Sequence, residues 1–86
     1  MIKLKITKAS GEVNEYEITP VIEFAFEREM KSGFHKYFRE EERQTGVYFL
    51  AWEAERRNGV TVVPFGDKYL EQLAKVEILD ANDPNG

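Results

Sequence analysis

The chain has 86 residues, room for one domain and not two. Its net charge of −4, from 16 acidic and 12 basic residues, argues against a nucleic-acid partner, because phosphate contacts call for a surplus of Lys and Arg. The absence of cysteine excludes disulfides and thiolate metal sites. No apolar run is long enough for a signal peptide or a membrane span, so the expected location is the cytoplasm.

A hydrophobic share of 42%, with six Phe, four Tyr and one Trp, suits a packed core or an adhesive surface and not a disordered chain. The N-terminus alternates, with Ile2, Leu4 and Ile6 on one face and Lys3, Lys5 and Thr7 on the other. Ala9-Ser10-Gly11-Glu12 is a turn signal, and Val13 to Ile18 alternates again, with Tyr16 and Ile18 opposite Glu15 and Glu17. A Lys face beside a Glu face is what cross-strand pairing favours, so residues 2–18 read as a β-hairpin.

Thr19-Pro20 starts a helix: Thr can cap it, and Pro at the first helical position loses no hydrogen bond. The helix is expected to run to about Lys31, with Val21, Ile22, Phe24, Ala25 and Phe26 on its apolar side and Glu23, Glu27 and Lys31 facing away. Ser32-Gly33 should end it, Gly33 taking the left-handed cap. Phe34 to Asn58 reads as one long helix, with Thr45-Gly46 as a place where it could break, and the charged run Arg39 to Arg43 as a solvated segment. Asn58-Gly59 stops it. Val60 to Val63 is a short β-branched stretch. Pro64-Phe65-Gly66-Asp67 turns into a further helix, with Asp67 as its cap and Tyr69, Leu70 and Leu73 on its buried side. Val76, Ile78 and Leu79 show an apolar pattern of undecided period. The fold class is α+β, mainly helical: an N-terminal β-hairpin packed on about three α-helices, with residues 1–80 as a single domain and 81–86 as a polar flexible tail.

At 100° per residue, Val47, Leu50, Ala51 and Ala54 form an aliphatic stripe on the central helix, with Tyr48 and Trp52 beside it. Phe34, Tyr37 and Phe38 join the aromatic side if the helix is continuous. Phe49 projects with Glu53 and Arg56, away from the aliphatic stripe, and is expected to be exposed. Most of this aromatic stripe reads as core, with Tyr48 and Trp52 packing on the hairpin. The competing reading makes Phe34, Tyr37, Phe38, Tyr48, Phe49 and Trp52 the candidate protein-binding residues, with Phe38 and Phe49 the pair to test.

Little in the chain points to chemistry. His35 is the only histidine, so neither a catalytic triad nor a multi-histidine metal site can be assembled, and its neighbours place it on a helix surface. The carboxylates Glu27 and Glu29, and Glu40-Glu41-Glu42, sit among Arg28, Lys31, Arg39 and Arg43 and read as solvated salt-bridge faces. No phosphate-binding glycine loop or nucleophile elbow occurs. No catalytic residue, cofactor or metal is expected.

Several segments, in order, resemble the tail assembly chaperones of long-tailed bacteriophages. Ile18-Thr19-Pro20 opens the first helix, Phe24-Ala25-Phe26-Glu27-Arg28 is similar to that family's F-E-x segment, and Gly33 follows. Val47-Tyr48-Phe49-Leu50-Ala51-Trp52-Glu53-Ala54 with Arg56-Arg57-Asn58-Gly59 resembles its L-x-x-L-A-W-x-A-x-R-x-x-G helix end. Phe65 with Tyr69-Leu70 resembles the F-x-x-F-L of its last helix, and the ending Asp83-Pro84-Asn85 is similar to the family's tails. The likeness covers roughly residues 16–86. It implies a protein that binds the long helical tape measure protein and keeps it soluble while tail-tube subunits assemble around it. It also implies a longer frameshifted form that recruits tube protein, some self-association, a place in the host cytoplasm, and absence from the mature virion. The alternative is a small acidic phage or bacterial regulator that binds and inhibits a host protein.

Overall fold

A computed structural model describes residues 2–40 and 44–80. The expected charged segment through Arg43 lies partly outside these residues, and the expected tail at 81–86 wholly outside them.

The hairpin forms as the alternation requires. Strand β1, Ile2–Lys8, pairs antiparallel with β2, Val13–Glu17, in a register that sets Lys3 opposite Glu17 and Lys5 opposite Glu15. The inward row of β1, Leu4 and Ile6, is fully buried. Gly11 at φ +98 closes the turn, a conformation that costs glycine little.

Helix α1, Pro20–Met30, starts where Thr19 Oγ1 accepts a hydrogen bond from the Ile22 amide at 3.4 Å. Its end differs from expectation. Lys31, not Gly33, takes the left-handed conformation, at φ 56, and donates its amide to the Glu27 carbonyl. Gly33 instead heads the next helix, α2 (Phe34–Glu40), where its carbonyl accepts from the Tyr37 amide at 2.9 Å. Glu27 reaches across from α1 and accepts from the Phe34 amide at 2.8 Å. A carboxylate there satisfies an orphan donor and faces the positive end of the α2 dipole. The five apolar residues of α1 do not share one face. Ile22, Ala25 and Phe26 are buried, while Val21 and Phe24 lie round the other side and are exposed.

The expected long helix is two, the second starting at Gln44, one residue before the Thr45-Gly46 position where a break was expected. Helix α3 spans Gln44–Arg57, and the Tyr37 ring of α2 lies directly over Gly46 of α3. Residues nine apart on a straight helix are separated by about 13.5 Å along the axis, too far for that contact. Gly46 therefore does not break a helix; it leaves space for a neighbouring ring. Helix α3 ends as expected at Asn58-Gly59, with Gly59 at φ +86, the Val60 amide bonded to the Glu55 carbonyl and the Gly59 amide to that of Arg56. This is a Schellman end.

The C-terminal third departs most from the sequence reading. Helix α4, Asp67–Leu70, is a single turn whose cap position is Gly66, with Asp67 as its first residue. Leu73 belongs to a third strand, β3 (Leu73–Asp80), which pairs antiparallel with the far side of β1 and makes the sheet order β2-β1-β3. The apolar pattern there has no single period because the ladder contains a bulge. Lys75 pairs with Thr7 and Leu73 with Lys8, which leaves Ala74 as the extra residue. Leu73 thereby shares the inner face with Val76 and Ile78. The helices cover that face alone, α3 touching all three strands. The α+β class and the hairpin are as expected, and the sheet gains one strand.

A Cβ on Gly46 would sit 2.4 Å from the Tyr37 ring, whereas one on Gly33 would meet only the Lys36 Cβ at 3.9 Å. Gly46→Ala should therefore lose about 1–3 kcal/mol by overpacking, although Ala is the better helix former. Gly33→Ala should change stability little. Denaturant unfolding checks both, and the double variant Gly46→Ala/Tyr37→Leu should recover part of the loss.

Candidate protein-binding surface

Five of the six candidate residues meet in one ring cluster, and its centre is a residue the sequence reading did not single out. Phe26, fully buried, lies 5.4 Å from Phe34, 5.0 Å from Tyr37, 5.3 Å from Phe38 and 6.4 Å from Phe49, measured between ring centroids. Phe49 continues the chain of rings to Trp52 at 5.9 Å and Phe65 at 5.6 Å, and Phe65 reaches Tyr69 at 6.3 Å. Most of these pairs are edge-on or tilted, the arrangement that aromatic quadrupoles favour.

This geometry corrects the expected exposure of Phe49. It is only 7% exposed, because Phe26 of α1 and the Phe65 segment close over the side of α3 opposite its aliphatic stripe. Phe34 and Tyr37 are core residues as well, while Phe38 and Trp52 are half-buried at its rim. Trp52 donates its indole N–H to the Val63 carbonyl at 2.8 Å and carries the Arg56 guanidinium over its ring. This pins the 60–66 segment, which is no strand, against α3. Tyr48 lies apart, half-buried, lining a hollow of about 130 Å³ with Leu70, Leu73, Ala74 and Lys75. His35 is exposed, as expected for a helix surface.

Among the described residues, the most exposed of the large apolar ones is Phe24, at 63%, with Val21 one turn earlier at 52%. Arg28, one turn later, holds its guanidinium 5.3 Å from the Phe24 ring centroid. These three follow i, i+3, i+7 spacing and share one strip of α1 that faces away from the core. The run Phe24-Ala25-Phe26 therefore divides into one ring for the surface and one for the core. That division was available from the wheel positions of Phe24 and Phe26, which differ by about 200°.

Two buried carboxylates also escaped the sequence reading. Glu53, expected on an exposed face, is buried and held by Arg56, through Nε at 3.0 Å and Nη2 at 2.6 Å, and by Arg57 Nε at 3.1 Å. The i+3 and i+4 spacing was the legible signal. Glu55, 1% exposed, accepts from the Tyr69 hydroxyl at 2.6 Å and pairs with Lys8 Nζ at 2.8 Å. Nothing local in the sequence joins residues 8, 55 and 69. The cluster could suggest acid–base chemistry, but each carboxylate is already engaged, and no buried side-chain polar atom among the described residues lacks a partner. It reads as a structural tie between β1, α3 and α4. Among the described residues, no group of three His, Asp or Glu side chains is placed to hold a metal ion, and no helix is long and apolar enough to cross a membrane.

Burial, first, and then the hydrogen bond to Glu55 and that group's negative charge hold the Tyr69 phenol well above its ordinary value. Tyr16 is raised too, by burial and then by the charges of Glu55 and Glu12. A phenol raised in the fold is deprotonated first in the unfolded chain as the pH climbs, so its contribution to stability is complete below about pH 10 and is lost above it. Denaturant titrations at increasing alkaline pH should show stability falling past that point. Tyr69→Phe should flatten most of the decline while costing about 1–3 kcal/mol at neutral pH through the lost bond to a buried carboxylate.

No family model matches this chain, and no curated protein or solved structure is significantly similar to it.

Proposed function

We propose that this chain is a tail assembly chaperone of a long-tailed bacteriophage, a binding module without catalysis that holds apolar helical segments of the tape measure protein. The observation that carries the reading is the Val21–Phe24–Arg28 strip. An exposed aromatic ring with a Val one turn away, rimmed by charge, is what an amphipathic client helix can dock against. One exposed Phe alone would need no explanation; here Phe24 lies within the Phe24-Ala25-Phe26-Glu27-Arg28 segment that resembles the family. The other residues of that segment have local duties, Phe26 in the core and Glu27 at the α2 N-terminus, so a partner is the simplest reason for Phe24. The binding residues of this reading are thus Phe24 and Val21, with the half-buried Phe38 and Trp52 secondary to them.

In this role the protein acts in the host cytoplasm, releases the tape measure as tail-tube subunits assemble around it, and is left out of the virion. A longer frameshifted form would bring the tube subunits.

The test is co-expression with the tape measure protein encoded in the same genome. The wild type should raise that protein's soluble fraction several-fold, and Phe24→Asp should abolish the gain while its own circular dichroism and melting are unchanged, since the ring is exposed. Phe49→Asp should instead unfold the chain by placing a charge in the core. A folded Phe24→Asp variant that protects the client as well as the wild type would remove the proposed surface. Failure of the wild type to protect the client would remove the function.

A further inference from the structure

We infer that two copies of this chain pair through β3, antiparallel and centred on Val76, to give a continuous six-stranded sheet ordered β2-β1-β3-β3-β1-β2. The inference does not depend on the proposed function; it comes from the two edges of the sheet. With the order β2-β1-β3, both outer strands present unpaired backbone groups. Among the described residues, no hydrogen bond occupies the free side of β3.

The two edges differ in charge. On β2 the outward-facing residues are Val13, Glu15 and Glu17, so antiparallel self-pairing along the whole strand sets Glu15 against Glu15 of the second copy. Like charges directly opposite oppose pairing. On β3 a two-fold axis through Val76 sets Lys75 against Glu77 of the second copy and Glu77 against its Lys75, with Val76 facing Val76 between them. Lys75 and Glu77 lie on the same face, their charged ends 3.6 Å apart, and Lys75 is largely exposed. Shifting the axis to Lys75 or Glu77 would place that charge opposite itself, and shifting it to Ile78 would set Glu77 against Leu79, so only the register centred on Val76 pairs each Lys75 with a Glu77.

That register also answers a second feature. It places Ile78 of one copy opposite Ala74 of the other. Ile78 is an inward-facing aliphatic residue, yet it is 39% exposed because the helices do not reach it. Ala74 borders the hollow of about 130 Å³ lined by Tyr48, Leu70 and Leu73, on the same face, with room for one aliphatic side chain. The pairing therefore lets each Ile78 enter the hollow of the opposite copy, covering both an exposed apolar residue and the half-buried Tyr48. The bulge at Ala74 ends the regular edge there, so the symmetric ladder runs from residue 74 to residue 78.

Sedimentation equilibrium of the full chain tests this. The wild type should be a dimer. Lys75→Glu should weaken association by roughly tenfold or more, since two attractive contacts per dimer become repulsive. Glu77→Lys should do the same, and mixing the two variants should restore a one-to-one heterodimer, because each charge then meets its opposite. Glu77 also stands opposite Lys5, so Ile78→Asp gives an independent readout that leaves that pair intact: a folded monomer is expected. Hydrogen exchange should show the edge-facing amides among residues 75–78, those not bonded to β1, protected in the wild type and exposed in Lys75→Glu. A wild type that is monomeric at every concentration overturns the inference, as does a dimer that survives both Lys75→Glu and Ile78→Asp and so uses another surface.

Discussion

The Glu55 carboxylate joins three parts of this molecule that are far apart in the chain. It lies on the longest helix, reaches the last residue of the first strand on one side and the phenol of the C-terminal helical turn on the other, and is almost wholly removed from water. A buried carboxylate without partners would cost several kcal/mol, and removing one partner from a buried ion pair typically costs about 3–5 kcal/mol. The arrangement is therefore self-enforcing. Once α3 lies on the sheet, Lys8 and Tyr69 must be where they are. Tyr69 in place positions Leu70 and Gln72, whose carbonyl accepts from the Ala9 amide, and so directs β3 to the open side of β1. An apolar residue at 55 could pack as well but would not specify which side of β1 the last strand takes.

What could be read from the sequence followed from local rules, and what could not depended on distant neighbours. The hairpin was legible because alternation and opposite charge agree on one register, which Lys3–Glu17 and Lys5–Glu15 adopt. The start of α1 and the end of α3 were legible because Thr19-Pro20 and Asn58-Gly59 satisfy backbone groups within a few residues. Strand β3 was hidden by one extra residue: with Ala74 bulged, Leu73, Val76 and Ile78 share a face at spacings of three and two, which matches neither helix nor strand. Lys31 holds a left-handed conformation that Gly33 was better suited to, because Gly33 and Glu27 together serve the start of α2.

The surface proposed for binding is not the one the helix wheel of α3 pointed to. A helix wheel shows which residues share a side of α3 but not how many layers surround it. Phe49 looked free because it projects with Glu53 and Arg56, away from the aliphatic stripe. Phe26, Phe38 and Phe65 turn the other side of α3 into a second interior. The aromatic surplus in the composition is consumed mainly there, and what is left for a partner is the strip carrying Phe24. The proposed chaperone role thus rests on one short helical face, and the ring cluster beneath it supplies the rigidity that holds that face in shape.

The central position of β1 has a consequence for the order of events during synthesis. Its first neighbour, β2, follows within a few residues, but its second is β3, so Thr7 must wait for Lys75 and Ile2 for Asp80. At about 5–20 residues per second, the hairpin spends on the order of 3–15 s with one edge of β1 uncovered. Until residues 73–80 have been made, the exposed edge belongs to the strand that will later be the most enclosed. The nascent chain and the finished one thus differ in which strand is open to a neighbour: first β1, and afterwards β3.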